Sequence, residues 1–444
     1  MSATTARLQR KALKPTSTGE ILRFFGILVL ITRLEFSERR TLWGGRHGSK
    51  RVQQVDLARD MSRHRFEEIL SCISFSAIVL PPADDRWAEV EGFAKAITAH
   101  RHAVVTPGET LCVDESISRW YGLGGYWSQI GLPHYVKLDR KPESGCEMKT
   151  ACCGSSGIML SVELTKSATE TETRDFEHDN QHGTATILRL VEPWFNSDRH
   201  VCADSWFASV LTTVKLWDVG MRFTGVVKTA TRLYPLPYLS SLEMQRKGDF
   251  VSMTSGSSQN RPSLLAVCWA DRDRRYFVSS AGTTNMGTPI YRERYRTVNG
   301  RASKQAFEIP IPQVCEDYYK VCSQIDRHNR CRQDDLNLEK KFRTLSWSTR
   351  VNTSLLAIVI VDAWLLYKNS RGGQFCKSPW TFYNELADGL LDNTHDSGAM
   401  RHQAEREAPS PAKRCAGTGI SLVPTTRKRR RLDGTLTNIS YQAR

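Results

Sequence analysis

Three aspartates lie at positions where a carboxylate could do chemistry. Asp114 falls inside "LCVDES", a stretch that predicts a strand, and charged side chains are rarely buried mid-strand without a partner. Asp204 ends the short apolar run "RHVCAD" and precedes a helix-like segment. Asp326 lies in "SQIDRHNR", on a predicted helix whose other face is apolar. Taken singly, each aspartate is more simply explained by a helix N-cap or a salt bridge.

Carboxylates contributed by two strands and a helix are typical ligands of divalent metal ions that act on phosphodiesters. Mg²⁺, or Mn²⁺ in its place, prefers hard oxygen ligands. Two such ions, about 3.5–4 Å apart, activate a water molecule and stabilise the leaving oxygen. Clustered carboxylates repel one another and persist mainly where a cation neutralises them. The expected cofactor is therefore two Mg²⁺ or Mn²⁺ ions, with no small-molecule cofactor.

The charge of the chain favours a polyanionic partner. The 444 residues carry a formal net charge of +15, which favours nucleic acid, although a basic protein without such a partner would have the same charge. Residues 427–431, "RKRRR", are typical of a nuclear localisation signal or a nucleic-acid patch, with a solvated charge run as the alternative. We therefore expect a nucleic acid as the partner and the nucleus as the location.

Cysteines and apolar runs argue against several other classes of protein. The twelve cysteines include no CxxC pair, which argues against a zinc ribbon and favours buried thiols in a reducing compartment. The apolar runs 21–31 and 355–361 are too short to span a bilayer and predict core helices, so we expect no membrane. The basic start is not followed by the apolar segment of a signal peptide.

Hydrophobic spacing and turn residues divide the chain into regions. Residues 16–105 have helical spacing, and residues 109–230 alternate between strand-like and helix-like runs, which predicts an α/β fold with a mixed sheet. Short apolar runs separated by Pro, Gly and Ser predict a β-rich insertion at 231–309. Helical spacing returns at residue 310, and the sequence becomes polar and irregular from about residue 393.

Several ordered blocks between residues 19 and 370 resemble those of piggyBac-type transposases and of proteins derived from them. The blocks are "GEILRFFGILVLITRLEFSERRTLW", "LCVDESISRWYG", "LDRKPESGCEMK", the segment from "GTATILRL" to "VVKTATR", "PQVCEDYYKVCSQID" and "LEKKFRTLSW". Because they occur in the family's order, the resemblance is far more specific than a single motif.

The resemblance implies an RNase H-like catalytic core, a mixed sheet with flanking helices, that carries a β-rich insertion and is embedded in a helical domain. It also implies a homodimer and cut-and-paste transposition at TTAA targets by metal-dependent DNA strand cleavage and strand transfer. The implied regions are a helical dimerisation and DNA-binding region (1–105), the core (106–230 and 310–334), the insertion (231–309) and a return to the helical domain (335–392). The polar, irregular composition, and not the resemblance, predicts a disordered basic tail (393–444).

The family's three catalytic aspartates fall onto Asp114, Asp204 and Asp326, which are the expected catalytic residues and metal ligands. A fourth acidic position of the family falls onto Asn329, which offers only a neutral carbonyl oxygen to a metal. Active members also have a Cys-rich zinc-binding domain near the carboxyl end, where this chain has one cysteine, Cys415. The alternative function is therefore that of a domesticated, non-catalytic protein that binds DNA or chromatin.

Basic and aromatic residues near the three aspartates are the expected DNA contacts, because Arg and Lys bind phosphates and aromatic rings stack on bases. They are Arg119, Lys141, Lys149, Lys228, Arg327, Arg330, Lys341, Arg343 and Trp347. A solvated helix face remains the alternative explanation for them.

Overall fold

The fold is given by a computed structural model. It describes residues 3–36, 38–44, 55–80, 82, 85–120, 134, 136–137, 144–228, 232–256, 263–298, 301–342, 344–370, 377–395, 429–430 and 436–437. Met1–His395 form one unit and Asp396–Arg444 a second, in which the strands Arg429–Arg430 and Leu436–Thr437 pair. Lys141, Arg343 and almost all of the tail predicted to be disordered lie outside the described residues.

The amino-terminal region is helical, as its spacing predicts. Its helices are α1 (Ala3–Arg10), α2 (Thr18–Ile31), α3 (Arg63–Cys72) and α4 (Ala88–Val104), with short 3-10 helices at Arg39–Trp43 and Leu57–Arg59. The hydroxyl of Ser17 accepts the backbone N–H of Glu20 at 3.1 Å, which satisfies a free donor and fixes the start of α2.

A mixed sheet forms the next region. Its elements are β1 (Thr110–Arg119), β2 (Val136–Lys137), β3 (Ser144–Cys153), β4 (Met159–Leu164), α5 (Ala168–Thr171), α6 (His182–Val191), a 3-10 turn (Glu192–Trp194), β5 (His200–Ala203), α7 (Val210–Asp218) and β6 (Arg222–Val227). β1 pairs antiparallel with β3, which pairs antiparallel with β4, while β1, β5 and β6 run parallel. The order β4-β3-β1-β5-β6 is that of an RNase H-like core, as expected.

The β-rich segment partly extends this sheet. It comprises α8 (Leu236–Ser241), β7 (Phe250–Thr254), β8 (Leu265–Ala270), β9 (Arg274–Ser279), β10 (Ile290–Val298) and β11 (Arg301–Ile309). β9 pairs antiparallel with β6, and β8 and β7 follow it, whereas β10 and β11 form a separate hairpin. The segment therefore continues the sheet from its β6 edge.

Helices complete the first unit. They are α9 (Gln313–Val321), α10 (Gln324–Arg330), a π-helical turn (Cys331–Leu336), α11 (Leu338–Lys341), α12 (Trp347–Ser370) and α13 (Pro379–Leu391). α12 is long and apolar enough to cross a membrane by length and composition, but 67% of its most apolar stretch is buried in the protein. It packs as a core helix.

Alternating side chains divide the apolar interior between the two faces of the sheet. Cys112 and Cys202 face a cluster that includes α4, α9, α10 and α12. Leu111, Val113 and Val201 face the opposite cluster, which includes α6 and α7. A third cluster joins α2 and α3 to α12 and α13. The ten cysteines within the described ranges are free thiols.

Candidate active site

The register of two parallel strands brings Asp114 and Asp204 together. The pairing of β1 with β5 ends at Val113 opposite Ala203, so the two aspartates are the next residue on each strand. Beyond this pair the β5 side of β1 is no longer covered by a strand. Asp114, in the middle of β1 where the pairing with β5 ends, and Asp204, directly after β5, thus both line an open cavity.

A third carboxylate joins this pair. One oxygen from each of Asp114, Glu115 and Asp204 lies within 4.8 Å of the others. They line a cavity of about 750 Å³ whose wall also includes Asp326 and Asn329, both on α10. Asp326 is exposed and lies outside the group of three. The structure therefore brings all three predicted aspartates to one cavity, with Glu115 as an additional acid.

The carboxylates are electrostatically strained by their surroundings. Burial strongly raises the pKa of Asp114, and Glu115 and Asp204 add to the rise. Burial and the charge of Glu115 also raise the pKa of Asp204, against the N–H of Trp206, which lowers it. Burial raises the pKa of Glu115 too, but its hydrogen bond with Asp114 and the ammonium of Lys149 outweigh that effect and lower it.

Lys149, on β3, forms ion pairs with Glu115 and Glu147. Its ammonium lies 3.0 Å from a carboxylate oxygen of Glu115 and 3.3 Å from one of Glu147, and its side chain is only 5% exposed. It also lies 3.6 Å from the ring centroid of Trp206. The ammonium of Lys149 therefore neutralises Glu115 and Glu147 at the cavity wall instead of projecting into solvent.

Hydrogen bonds to β1 hold α10 against the sheet. Ser116 donates to the side-chain oxygen of Asn329 at 3.0 Å, and Arg332 donates to the same oxygen at 3.3 Å. Arg332 also donates to the carbonyl of Ile117 at 2.8 Å and forms a fully buried ion pair with Glu339. Asn329 lines the cavity, but its carbonyl oxygen already accepts two hydrogen bonds.

The alternative role of Asp204 as the N-cap of the following helix does not fit the geometry. α7 begins at Val210, and the hydroxyl of Ser209 caps it by accepting the N–H of Thr212 at 2.9 Å. Asp204 instead accepts the backbone N–H of Trp206 at 2.8 Å within a tight turn. One carboxylate oxygen is used in this turn, and the carboxylate still belongs to the acidic group.

The other predicted DNA contacts divide between several places. Arg119, Lys228 and Arg330 line the acidic cavity, whereas Arg327 lies beside a different cavity with Lys368 and Trp364. Lys341 donates to the carbonyl of Leu34 at 2.9 Å, away from the acids, and Trp347 packs edge-on against Trp87. Lys141 and Arg343 lie outside the described residues.

Sequence reasoning missed Glu115, Glu147 and Trp206, and it took Arg332 for a DNA contact although the structure buries this side chain against Glu339. Glu115 follows Asp114 directly, and strand alternation places neighbours on opposite faces, which concealed their shared cavity. Because β5 ends at Ala203, its pairing with β1 does not extend to Asp114 and Glu115, and both residues line the same cavity. An adjacent acid pair just past the expected end of a strand pairing is the signal that could have found Glu115.

The donor set fits hard divalent ions. Asp114, Asp204 and Glu115 offer only carboxylate oxygens, which are the ligands preferred by Mg²⁺ and Mn²⁺, and Asp326 adds another from the cavity wall. The raised pKa values of Asp114 and Asp204 show that these charges need compensation. A bound cation would supply it.

Comparisons with known proteins agree with this geometry. No curated protein sequence matches the chain. A solved cryo-EM structure of piggyBac transposase in a synaptic complex with hairpin DNA has a similar fold, with a TM-score of 0.61 and 18% identity over 94% of this chain and 82% of that chain. It confirms the piggyBac-type, RNase H-like fold expected from the sequence. The family described as Transposase IS4 matches residues 1–364, and the chain belongs to this family of transposases.

Proposed function

We propose that the protein cleaves DNA strands and transfers them to new sites in a metal-dependent reaction, as in cut-and-paste transposition. The acidic group of Asp114, Glu115 and Asp204, with oxygens within 4.8 Å of one another, carries this proposal. Acids so close together favour a bound cation over three free charges. The cavity around them leaves room for a phosphodiester, and the likeness to a DNA-bound transposase supports DNA as the substrate.

Each residue at the cavity has a distinct role in this reaction. Asp114 and Asp204 bind the cations from the sheet side, and Asp326 binds from the helix side. Two bound Mg²⁺ or Mn²⁺ ions, held by these carboxylates, would activate a water molecule or a DNA 3′-hydroxyl and would stabilise the leaving oxygen. Lys149 keeps Glu115 ionised and in place.

Cations on the cavity wall bind the DNA backbone. Arg119, Lys228 and Arg330 line the same cavity as the acids, so they bind phosphates on either side of the one that reacts. Arg327, Lys341 and Trp347 contact DNA only if the duplex extends over neighbouring surfaces, and Lys141 and Arg343 stay predictions. The protein acts as a homodimer in the nucleus, a proposal supported by the resemblance to transposases and by the basic run at residues 427–431.

A second candidate is a domesticated protein that binds DNA or chromatin without cleaving it. Asn329 favours this alternative, because its side-chain oxygen is neutral and already accepts hydrogen bonds from Ser116 and Arg332. In that case DNA binding depends on salt but not on divalent metal.

The two candidates are separated by a strand-cleavage assay with the purified full chain. Supercoiled plasmid DNA is incubated with the protein and Mg²⁺, Mn²⁺ or EDTA, and a labelled oligonucleotide with a free 3′-hydroxyl reports strand transfer. We expect nicking with either metal and none in EDTA. Asp204→Asn should abolish it while retaining DNA binding. Asp179→Asn makes the same change at an 80%-exposed carboxylate outside the cavity and should have no effect. Binding without nicking by the wild type would select the non-catalytic candidate.

A further inference from the structure

Trp206 is an exposed aromatic ring held rigidly beside the acidic group. The residue is 41% exposed, although burying a large apolar ring lowers the free energy of a protein. Its backbone N–H donates to Asp204 at 2.8 Å, which fixes the main chain at the base of the ring. The ring therefore occupies a defined position two residues from a proposed metal ligand.

Three neighbours contact the indole and still leave part of it uncovered. The first is His182, whose ring centroid lies 5.5 Å from that of the indole with the planes inclined at 84°, and the others are Lys149 and Phe207. The ammonium of Lys149 lies 3.6 Å from the indole centroid and 5.5 Å from that of Phe207. The centroids of Trp206 and Phe207 are 4.6 Å apart, with planes inclined at 77°. These distances place Lys149 and Phe207 at about a right angle as seen from the indole. Lys149 therefore lies over one face of the indole and Phe207 at its edge.

A second cavity begins at Trp206. It measures about 540 Å³ and shares Trp206 and Lys228 with the acidic cavity. Arg232 and Leu233 also line it. Leu233 is 76% exposed and has a φ of +68°, which is strained for a residue with a Cβ. Strained backbone with an outward apolar side chain is typical of functional sites.

We propose that the second cavity binds an unpaired nucleobase of the DNA strand being processed. The base stacks on Trp206, Leu233 separates it from the neighbouring base, and Lys228 and Arg232 face the backbone phosphates. Bases within a duplex are already stacked, so this surface discriminates in favour of opened or single-stranded DNA. The proposal rests on the proposed function, because the adjoining phosphate is the one presented to Asp114 and Asp204.

The test uses 2-aminopurine, whose fluorescence falls when it stacks on an aromatic ring. One probe is a duplex with a single-stranded extension that carries 2-aminopurine, and the other carries the same base paired inside the duplex. Binding of the purified full chain is measured with Ca²⁺ present to neutralise the carboxylates. We expect quenching of the unpaired probe beyond its level in free DNA, and no such change for the paired probe.

Substitution of the ring supplies the decisive comparison. Trp206→Ala should weaken binding of the unpaired probe about tenfold and abolish the quenching, while binding of the duplex is unchanged. Trp206→Phe should retain part of both effects. The matched control is Trp217→Ala on α7, because Trp217 is 42% exposed and lines neither cavity. Leu233→Gly relieves the strained φ and should lower the preference for unpaired DNA without lowering thermal stability.

The outcomes separate this inference from the proposed function. Equal quenching and equal affinity in Trp206→Ala and Trp217→Ala would overturn the nucleobase site, even if the wild type nicks DNA. Quenching that depends on Trp206, in a wild type that does not nick DNA with Mg²⁺ or Mn²⁺, would overturn the cleavage function and retain the nucleobase site. If Trp206→Ala does not fold, Leu233→Gly decides, and an unchanged preference for unpaired DNA would overturn the proposal.

Discussion

Replacing Asp204 with Asn removes one charge from the acidic group and preserves the shape of the side chain. The amide oxygen can still accept the N–H of Trp206, so the turn that follows β5 keeps its hydrogen bond. The substitution therefore tests charge alone. Because the pKa of Asp204 is raised by burial and by Glu115, the folded protein disfavours its negative charge in the absence of metal.

The size of the effect follows from Coulomb's law. Two charges at 4.8 Å, the outer limit for Asp204 and Glu115, repel by about 3.5 kcal/mol at an effective dielectric constant of 20. Solvent in the open cavity and the ammonium groups of Lys149 and Lys228 reduce this value, so we expect about 1–2 kcal/mol. In EDTA, Asp204→Asn should therefore be more stable than the wild type, with a Tm about 1–3 °C higher.

The assay is thermal unfolding in EDTA and in Mg²⁺. Magnesium at ten times its Kd should stabilise the wild type by about 1.4 kcal/mol, because it binds only the folded site. Asp204→Asn should lose most of this gain, whereas the exposed control Asp179→Asn should match the wild type in both conditions. A lower Tm for Asp204→Asn in EDTA would refute the reasoning, since it would show that the charge of this carboxylate stabilises the metal-free fold.

Three further substitutions test the electrostatics of the cavity. The pKa of Asp114 is raised above its ordinary 3.8, so the folded state retains a proton that the unfolded state releases. In EDTA, the free energy of unfolding of the wild type should therefore fall as pH rises above about 4. Urea denaturation should show a weaker fall of this free energy in Asp114→Asn. Lys149→Met leaves Glu115 and Glu147 without their shared cation, and urea denaturation should show a loss of about 2–3 kcal/mol, whereas an unchanged midpoint would contradict the assigned pairing. Asn329→Asp adds a charge to the cavity wall, so calorimetric titration should show tighter Mg²⁺ binding and thermal unfolding a lower Tm in EDTA; unchanged Mg²⁺ affinity would place this residue outside the metal site.

The elements could be predicted from local sequence because their causes are local. Short continuous apolar runs, buried on both faces of the sheet, specify β1 and β5. Gly157, with a φ of +75°, forms the turn between β3 and β4. The attachment of β9 to the edge of β6 could not be predicted. Any strand with the correct alternation offers the same backbone donors and acceptors, and the choice between edges depends on the packing of the whole sheet.

The candidate site shows the same division between local and tertiary causes. Asp114 and Asp204 could be identified because each interrupts or ends an apolar strand, and Asp326 because its helix has an apolar opposite face. Their approach to one another depends on strand register, which the sequence alone does not specify. Arg327 and Arg330 are three residues apart on α10, yet only Arg330 reaches the acidic cavity. The distinction depends on how α10 is rotated against the sheet.

The carboxylates of the acidic cavity repel one another, and hydrogen bonds in the surrounding structure oppose that repulsion. Repulsion between carboxylates on β1, β5 and α10 tends to separate the helix from the sheet when no cation is bound. The bonds from Arg332 to Ile117 and Asn329 oppose this, and the π-helical turn at Cys331–Leu336 places that guanidinium in the interior, where Glu339 neutralises it. Because the restraining groups are buried and paired with one another, the acids remain close before any metal arrives. A site held this way loses little conformational entropy when it binds a cation, which is the physical reason for keeping a repulsive cluster within a rigid frame.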